Sequence, residues 1–441
     1  MSPDGSTLAH GLGGAKDLPI SPELAIAGAT AALVISFTVL AVAWRTPRFD
    51  AATSGRPAPA WLNRIVTSTG FRLLLRVFGF VVFVFTAVAA VFGKDMITNP
   101  VFGIFYVLLW VVVPLSSVLL GPVWKAISPV RSINWVFAKL SGSDPTTGVY
   151  EYPERLGYWP AALGLYAFVW IELVYSTPQD LPSVRFWCAA YVAVMLIGGA
   201  LFGDKFYERA DPFEVFSTLL SKLSVWSLRD GRLIVRSPLA NLDSVTVLPG
   251  LVGVAGILFG STAYDSFRES SRWVKFVQSS DISGTVLTNL ALLAFCLAAI
   301  GIFSVGSMLT GVEQVRRRDL PSQFAHSIVP IVAGYLIAHY LRYAFEVSQL
   351  TLIYASDPLG KGQDLLGTGD ASVNYSLGFH PELLANIKVG AVVLGHVLGV
   401  VAAHDRAIRL LPKRHQLTGQ LSLLLAMVAF TAGGLYLLFA A

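Results

Sequence analysis

The chain has 441 residues, of which 54% are hydrophobic and only 13% are charged, and its formal net charge is +5. A soluble globular protein carries about 25% charged residues, so this composition excludes an ordinary soluble domain. The apolar runs have the length of helices rather than that of alternating barrel strands. The sequence therefore predicts an all-α, polytopic integral membrane helix bundle.

The apolar runs predict about ten transmembrane helices. In chain order they lie near 24–44, 74–93, 101–120, 158–176, 185–203, 247–264, 283–309, 324–349, 383–404 and 418–440. Residues 1–23 do not lead from a charged segment straight into an apolar core, so they are expected to form a short extracytoplasmic tail rather than a signal peptide. Residues 24–441 are expected to form a single integral membrane domain.

The distribution of arginine and lysine predicts the orientation. The basic loops 45–76, 310–323 and 405–417 fall on one side of a ten-helix arrangement. Basic loops usually face the cytoplasm, so both termini are expected outside a plasma membrane. The same asymmetry accounts for the net positive charge, and no nucleic-acid partner is implied. The expected partners are the lipid bilayer and a hydrophobic small molecule or lipid-like substrate.

Two inner loops contain similar amphipathic segments, near 122–140 and 211–226. Each is expected to form one helix that lies at the membrane interface. The spans that follow them share a proline with a glycine four residues later, and a third span has the same pair. This pattern predicts a degenerate helix-pair repeat of parallel topology. The expected copies lie near 101–176, 185–264 and, more weakly, 283–349.

The predicted span 324–349 has a polar face, formed by Tyr335, His339, Arg342, Tyr343 and Glu346. At about 100° per residue these side chains lie within about 80° of one another on a helix. Ionisable groups at membrane depth are costly and often mark a functional site. A structural explanation stays open, because Arg342 and Glu346 can form an i,i+4 ion pair and His339 can be a hydrogen-bonded core histidine.

The predicted span 383–404 contains His396 in its interior, and His404 and Asp405 follow at its inner end. Imidazole and carboxylate groups suit zinc or iron, so His339, His396, His404 and Asp405 are candidate ligands of a divalent metal. At a rise of about 1.5 Å per residue, His339 and His396 differ in depth by about 10 Å. His404 and Asp405 can equally be polar residues of the membrane interface.

The outer loop 356–370 is rich in glycine and aspartate. Its glycines allow tight backbone turns, and Asp357 and Asp364 could bind a cation or act as a base above the polar face. A solvated loop without chemistry is the alternative. The sequence contains neither the G-x-S-x-G nor the H-E-x-x-H motif, so the common serine and zinc hydrolase families are not supported.

Three segments resemble multi-pass membrane proteins, widespread in actinobacteria, that are labelled fenitrothion hydrolase. The segments are AHY at 338–340, SDPLGKGQDLLGT at 356–368 and GHVLGVVAAHDRA at 395–407, with weaker similarity in GPVWKAISPVRSINW at 121–135. The resemblance implies a membrane-bound hydrolase of organophosphate triesters. By motif, it carries over as candidate site residues His339, Asp357, Asp364, His396, His404 and Asp405.

Two functions therefore remain open, together with a structural role without chemistry. In the hydrolase, His339 and His396 would bind a metal or act as general bases, and Arg342 would stabilise phosphoryl charge. In the alternative, the histidine, arginine and glutamate side chains would serve a proton-coupled transporter, or a membrane partner in metal or lipid handling.

Overall fold

The structure is a computed structural model that describes residues 21–310, 315–412, 416 and 418–439. Most of the predicted N-terminal tail lies outside these residues. The described chain is almost entirely helical, which confirms the all-α fold class. Its helices are α1 Pro22–Ala43, α2 Ala60–Thr67, α3 Thr69–Phe92, α4 Pro100–Leu120, α5 Val123–Ile127, α6 Pro129–Leu140, α7 Trp159–Leu173, α8 Leu181–Phe202, α9 Asp204–Ala210, α10 Pro212–Ser221, α11 Pro238–Leu242, α12 Leu251–Arg268, α13 Ser271–Ser279, α14 Gly284–Met308, α15 Leu320–Phe324, α16 Val329–Tyr354, α17 Pro381–Leu410 and α18 Leu421–Phe439.

Among the described residues, eight helical segments are long and apolar enough to cross a membrane. They are α1, α3, α4, α8, α14, α17, α18 and the segment Arg317–Tyr354, which ends in α16. Helix α4 contains a π-helical stretch, Ile104–Val112. The protein is thus a multi-pass membrane protein by the length and composition of its helices.

Two of the ten predicted spans do not meet this criterion. The span near 158–176 is the fifteen-residue helix α7, and the span near 247–264 is α12, whose C-terminal part is polar. Both helices lie inside the bundle, and most residues of α12 are buried. Because protein covers most of α12, its C-terminal part can be polar, whereas α7 is apolar and falls short in length.

The connections between helices gather at two opposite ends of the bundle. At one end the indole of Trp44 donates to Asp405 at 3.2 Å, so the chain after α1 meets the C-terminal end of α17. At the other end the backbone N–H of Leu181 donates to Asp95 at 3.1 Å, so the start of α8 meets the α3–α4 connection. Helices α7 and α12 lie side by side: the N–H of Tyr158 donates to the carbonyl of Pro249 at 2.7 Å where they start, and Arg268 donates to the carbonyl of Leu173 at 3.1 Å where they end.

A small antiparallel sheet closes the arginine-rich end. It contains β1 Arg56–Pro57, β2 Trp226–Arg229 and β3 Arg232–Val235, in the order β1-β3-β2. The turn between β2 and β3 is Asp230-Gly231, and both residues have positive φ angles, of 50° and 74°. Asp-Gly is a favoured dipeptide for such two-residue hairpin turns.

The helix predicted at the interface near 211–226 is buried instead. Its structured part is α10, where Phe216 packs 5.1 Å from the ring of Trp110, and the side chains of its polar positions have internal partners. Glu214 pairs with Arg131, and the Ser217 hydroxyl lies 2.8 Å from that of Ser117. Because these polar groups are satisfied inside the protein, an amphipathic sequence forms a core helix here. The segment 122–140 forms α5 and α6, and α6 leaves Phe137 exposed.

Helices α16 and α17 make the closest approach that bears on the site. A Cβ placed on Gly395 of α17 would lie 2.5 Å from the carbonyl oxygen of Pro330, and Gly334 of α16 meets the carbonyl of Ala391. Small residues at facing positions allow such contact between membrane helices. The interface of these two helices carries the predicted histidines.

Candidate functional site

A buried network of ionisable side chains joins α12 to α16. The Nε2 of His339 donates to Oδ2 of Asp265 at 2.8 Å, and the hydroxyl of Tyr340 donates to the same oxygen at 3.0 Å. On the other side of the carboxylate, Nε of Arg268 donates to Oδ1 at 2.9 Å. The side chains of His339 and Asp265 are both fully excluded from solvent. Asp265 is thus the hub of the network, and three donors orient it.

The second ring nitrogen of His339 faces a hydroxyl. The Oγ of Ser266 lies 3.2 Å from Nδ1 of His339, and it also lies 3.3 Å from the carbonyl oxygen of Thr262. An ionised carboxylate such as that of Asp265 can only accept a hydrogen bond, so Nε2 of His339 carries a proton. In a neutral imidazole the other nitrogen, Nδ1, is then a hydrogen-bond acceptor. The imidazole therefore stands between a carboxylate and a hydroxyl, and both of its nitrogens are engaged.

A further acid lies beside this network on α7. Glu172 is 5% exposed, and neither of its carboxylate oxygens has a hydrogen-bond partner among the described residues. The charges of Asp265 and Arg268 both act on it. An ionised carboxylate without a partner is costly at this depth, so Glu172 is a site that favours an added proton or cation.

His396 lies at the α16–α17 interface, apart from this network. Its Nδ1 donates to the carbonyl of Val392 at 2.8 Å, and its ring stands 6.0 Å from that of Tyr335, at 70°. Its Nε2 has no hydrogen-bond partner within the described chain, although the residue is fully buried. A third histidine, His326, lies farther along the same interface, with Nε2 3.3 Å from the carbonyl of Ala402.

Arg342 and Glu346 form the i,i+4 ion pair that the structural explanation predicts. The Nε of Arg342 lies 2.8 Å from Oε1 of Glu346, and the arginine side chain is 41% exposed. Both face Gly378 in the outer connection. The arginine that contacts the His339 network is Arg268, and Arg342 pairs with Glu346 instead.

Asp357 and Asp364 organise the outer loop. The carboxylate of Asp357 accepts from the backbone N–H of Lys361 at 2.9 Å and of Gly362 at 2.7 Å. Asp364 accepts from the Ser356 hydroxyl and from the N–H of Gly369. These bonds hold the pKa of both carboxyl groups below the ordinary aspartate value. Both residues line an outer pocket of about 450 Å³, which neither His339 nor His396 reaches.

His404 and Asp405 lie at the opposite, arginine-rich end. Asp405 accepts from the backbone N–H of Arg48 at 2.7 Å and from Nη2 of Arg409 at 3.0 Å, and so fixes the turn after α1. His404 lies 3.0 Å from the carbonyl of Trp44 and 3.0 Å from Oε1 of Gln420. Both side chains are buried, and their contacts tie the C-terminal end of α17 to the chain after α1.

The four proposed metal ligands are thus divided among three places. His339 lies in the Asp265 network, His396 against Tyr335, and His404 with Asp405 at the arginine-rich end. In the part of the chain that the structure describes, no group of three or more histidine, cysteine, aspartate or glutamate side chains is placed to hold a metal ion. The arrangement gives no support to a joint site.

Sequence analysis missed Asp265 because the predicted span ended at 264, which assigned the aspartate to an outer loop. The repeat contains a signal that identifies it. Asp265 follows Pro249 by sixteen residues, and Glu346 follows Pro330 by the same number. The acid of the polar face in one copy therefore has a counterpart in the preceding copy.

Fold and site together define a polytopic helical membrane protein with a buried cluster of ionisable groups inside its bundle. No protein-family model, curated protein or solved structure matches this chain. The function is therefore argued from the cluster itself.

Proposed function

We propose that the protein is a proton-coupled membrane transporter and that the Asp265–His339 pair is its proton-binding centre. The observation that carries the proposal is the hydrogen bond between these two fully buried side chains. Beside them lies the carboxylate of Glu172, which has no hydrogen-bond partner in the described part of the chain. Intramembrane chains of aspartate, glutamate and histidine are typical of proton relays in pumps and transporters.

The positions of the other histidines support a path for protons across the bundle. His396 and His326 lie along the α16–α17 interface, and His339 extends from α16 toward α12. Thirteen residues of helix separate His326 from His339, a rise of about 20 Å, which is most of a hydrocarbon core about 30 Å thick. Glu172 on α7 and Asp265 on α12 add two buried acids to the interior of the bundle.

The chemistry of the centre suits reversible proton binding. His339 can take a proton at Nδ1, and the neighbouring Asp265 carboxylate then stabilises the imidazolium by a charge-assisted hydrogen bond. Arg268 opposes this step, because it already neutralises part of the aspartate charge.

A pH jump on reconstituted protein tests the proposal. Proteoliposomes on a solid-supported membrane should give a transient current in wild type, because protons enter the buried centre. The currents of Asp265→Asn and His339→Gln should be largely lost. The control is His380→Gln, an exposed histidine outside the network. Currents in Asp265→Asn equal to those of wild type would remove this pair from the mechanism.

A second function has one specific observation in its favour. The order Ser266 hydroxyl, His339 ring and Asp265 carboxylate is that of a hydrolytic triad, and it adds to the resemblance to fenitrothion hydrolase-like proteins. We propose as the alternative that His339 acts as the general base in hydrolysis of a hydrophobic phosphotriester. The full burial of these side chains makes this the weaker candidate, because a substrate must reach the base.

One variant, Ser266→Ala, distinguishes the hydrolase from the proton-coupled transporter. Ser266→Ala should abolish release of nitrophenol from diethyl 4-nitrophenyl phosphate if the triad is hydrolytic, whereas the pH-jump current should persist if the centre carries protons. Ser261→Ala is the matched control, since Ser261 lies on the same helix and its hydroxyl bonds only to a backbone carbonyl. Hydrolysis that survives Ser266→Ala would remove Ser266 as a participant.

A further inference from the structure

A groove on the outside of the bundle lies between α3 and α6. It encloses about 330 Å³ and is lined by apolar side chains from both helices. Those that form its walls are Leu73, Val77, Phe80, Ile133, Val136 and Phe137. Since α3 is one of the helices able to cross a membrane, and Val77 and Phe80 are exposed on it, the groove faces the lipid side of the bundle.

Arg76 stands in this groove. Its guanidinium lies 4.9 Å from the ring centroid of Trp135, a cation–π contact that fixes its position. The nearby carboxylate whose charge acts on Arg76 is Asp204, which is itself paired with Arg131 at 2.6 Å. The donors of Arg76 are therefore available to an anion from outside the protein.

The surroundings of Arg76 have the character of a membrane interface. Arg72 lies one turn before it on α3 and is exposed, as is Lys139 near the end of α6. On the neighbouring helix α2, Trp61 and Ile65 are both exposed and share one face. Tryptophan and basic residues are typical of the level of the lipid headgroups, so the charged part of the groove lies at headgroup depth.

We propose that this groove binds an anionic phospholipid, with its phosphate at Arg76 and one acyl chain along the apolar walls. Charge complementarity favours this occupant. The basic side chain of Arg76 lies beside an apolar groove, as the phosphate of a phospholipid lies beside its hydrocarbon chain. Arginine binds phosphate through several parallel donors. The inference concerns a surface away from the His339 network and does not depend on the proposed function.

The test is a lipid titration of the purified full chain, followed by native mass spectrometry. The probes are dioleoylphosphatidylglycerol and, as the neutral comparison, dioleoylphosphatidylcholine. Wild type should bind the anionic lipid more tightly. Arg76→Gln should lower that affinity about fivefold, the effect of one basic residue at a membrane surface. The control Arg272→Gln removes an exposed arginine on α13 and should leave binding unchanged.

A second variant tests the channel separately from the charge. Ile133→Trp fills the groove while all arginines remain, and it should weaken binding of both lipids. The proposal is overturned if wild type does not prefer phosphatidylglycerol, if Arg76→Gln binds it as wild type does, or if Ile133→Trp has no effect. Complete displacement of the lipid by millimolar inorganic phosphate would also overturn it, since the site would then be one for a free anion.

Discussion

His339 and Asp265 are 74 positions apart in the chain, yet a 2.8 Å hydrogen bond joins their side chains in a place that solvent does not reach. The bond connects α16 to α12, and the same carboxylate holds Tyr340 and Arg268. Asp265 accepts from three donors, whereas His339 has two contacts. Loss of the aspartate therefore removes more hydrogen bonds than loss of the histidine.

We expect Asp265→Ala to destabilise the protein more than His339→Ala does. Removing the aspartate leaves Arg268 without its counter-charge and three donors without their acceptor, and breaking a buried ion pair costs about 3–5 kcal/mol. Removing the histidine leaves Asp265 bound to Arg268 and Tyr340. Thermal unfolding in detergent measures the difference, and an equal or smaller loss of Tm in Asp265→Ala would contradict this ranking.

Gly395→Ala should destabilise the contact between α16 and α17. The added methyl group would lie 2.5 Å from the carbonyl oxygen of Pro330, and overpacking of this kind costs about 1–3 kcal/mol. Gly390→Ala on the same helix is the matched control, because nothing lies within 4 Å of its Cβ position. There the alanine should be neutral or favourable, since it increases helix propensity. If both variants change Tm equally, the close approach at Gly395 does not determine the stability of this contact.

The outer loop should loosen in acid. Its backbone and Ser356 hydrogen bonds lower the folded-state pKa of Asp357 and Asp364 below 3.8, so their stabilising contribution is complete above 3.8 and is lost as the pH falls through the lower folded value. Hydrogen exchange of 356–370, corrected for the intrinsic rate, should increase over that range. Asp364→Ala should produce the same loosening at neutral pH.

The matched control for the loop is Asp370→Ala, which changes an exposed aspartate of the same segment. It should leave the exchange of 356–370 unchanged. An equal increase in both variants would show that charge in general, and not the bonds to Ser356 and Gly369, orders the loop.

Asp405→Ala should lower Tm whether or not divalent metal is present in the buffer. The carboxylate accepts from the Arg48 N–H, the Trp44 indole and Arg409, and leaving such donors unsatisfied costs about 1–3 kcal/mol. Asp319→Ala, at an exposed aspartate near the same end, should have little effect. A Tm loss that appears only after metal is added back would support the ligand role for Asp405 instead.

Part of this structure could be predicted from the sequence, and the reasons for success and failure differ. The helical class follows from apolar runs of membrane length, and the polar face with His339 follows from helical periodicity. Helix α7 is apolar but only fifteen residues long, and α12 ends in a polar stretch that burial inside the bundle permits. Asp265 was missed for the same reason, because its helix continues to Arg268 beyond the apolar run.

The partners of the predicted residues could not be obtained from periodicity. Arg342 and Glu346 share a face with His339, yet the pair lies near the surface while His339 is buried. Helical position gives the direction of a side chain but not which neighbour covers it. Likewise, the sequence placed His404 and Asp405 at an inner helix end, but their contacts with Trp44 arise from a turn 360 positions earlier.

Two close helix contacts at glycines lie on either side of the His339–Asp265 hydrogen bond. On one side Gly395 lets α17 pack closely against α16, and on the other a Cβ placed on Gly260 of α12 would lie 2.6 Å from Cα of Cys296 on α14. Only glycine fits at either contact without a shift of the neighbouring backbone. The His339–Asp265 hydrogen bond joins α16 to α12 and so ties these two closely packed helix pairs to each other.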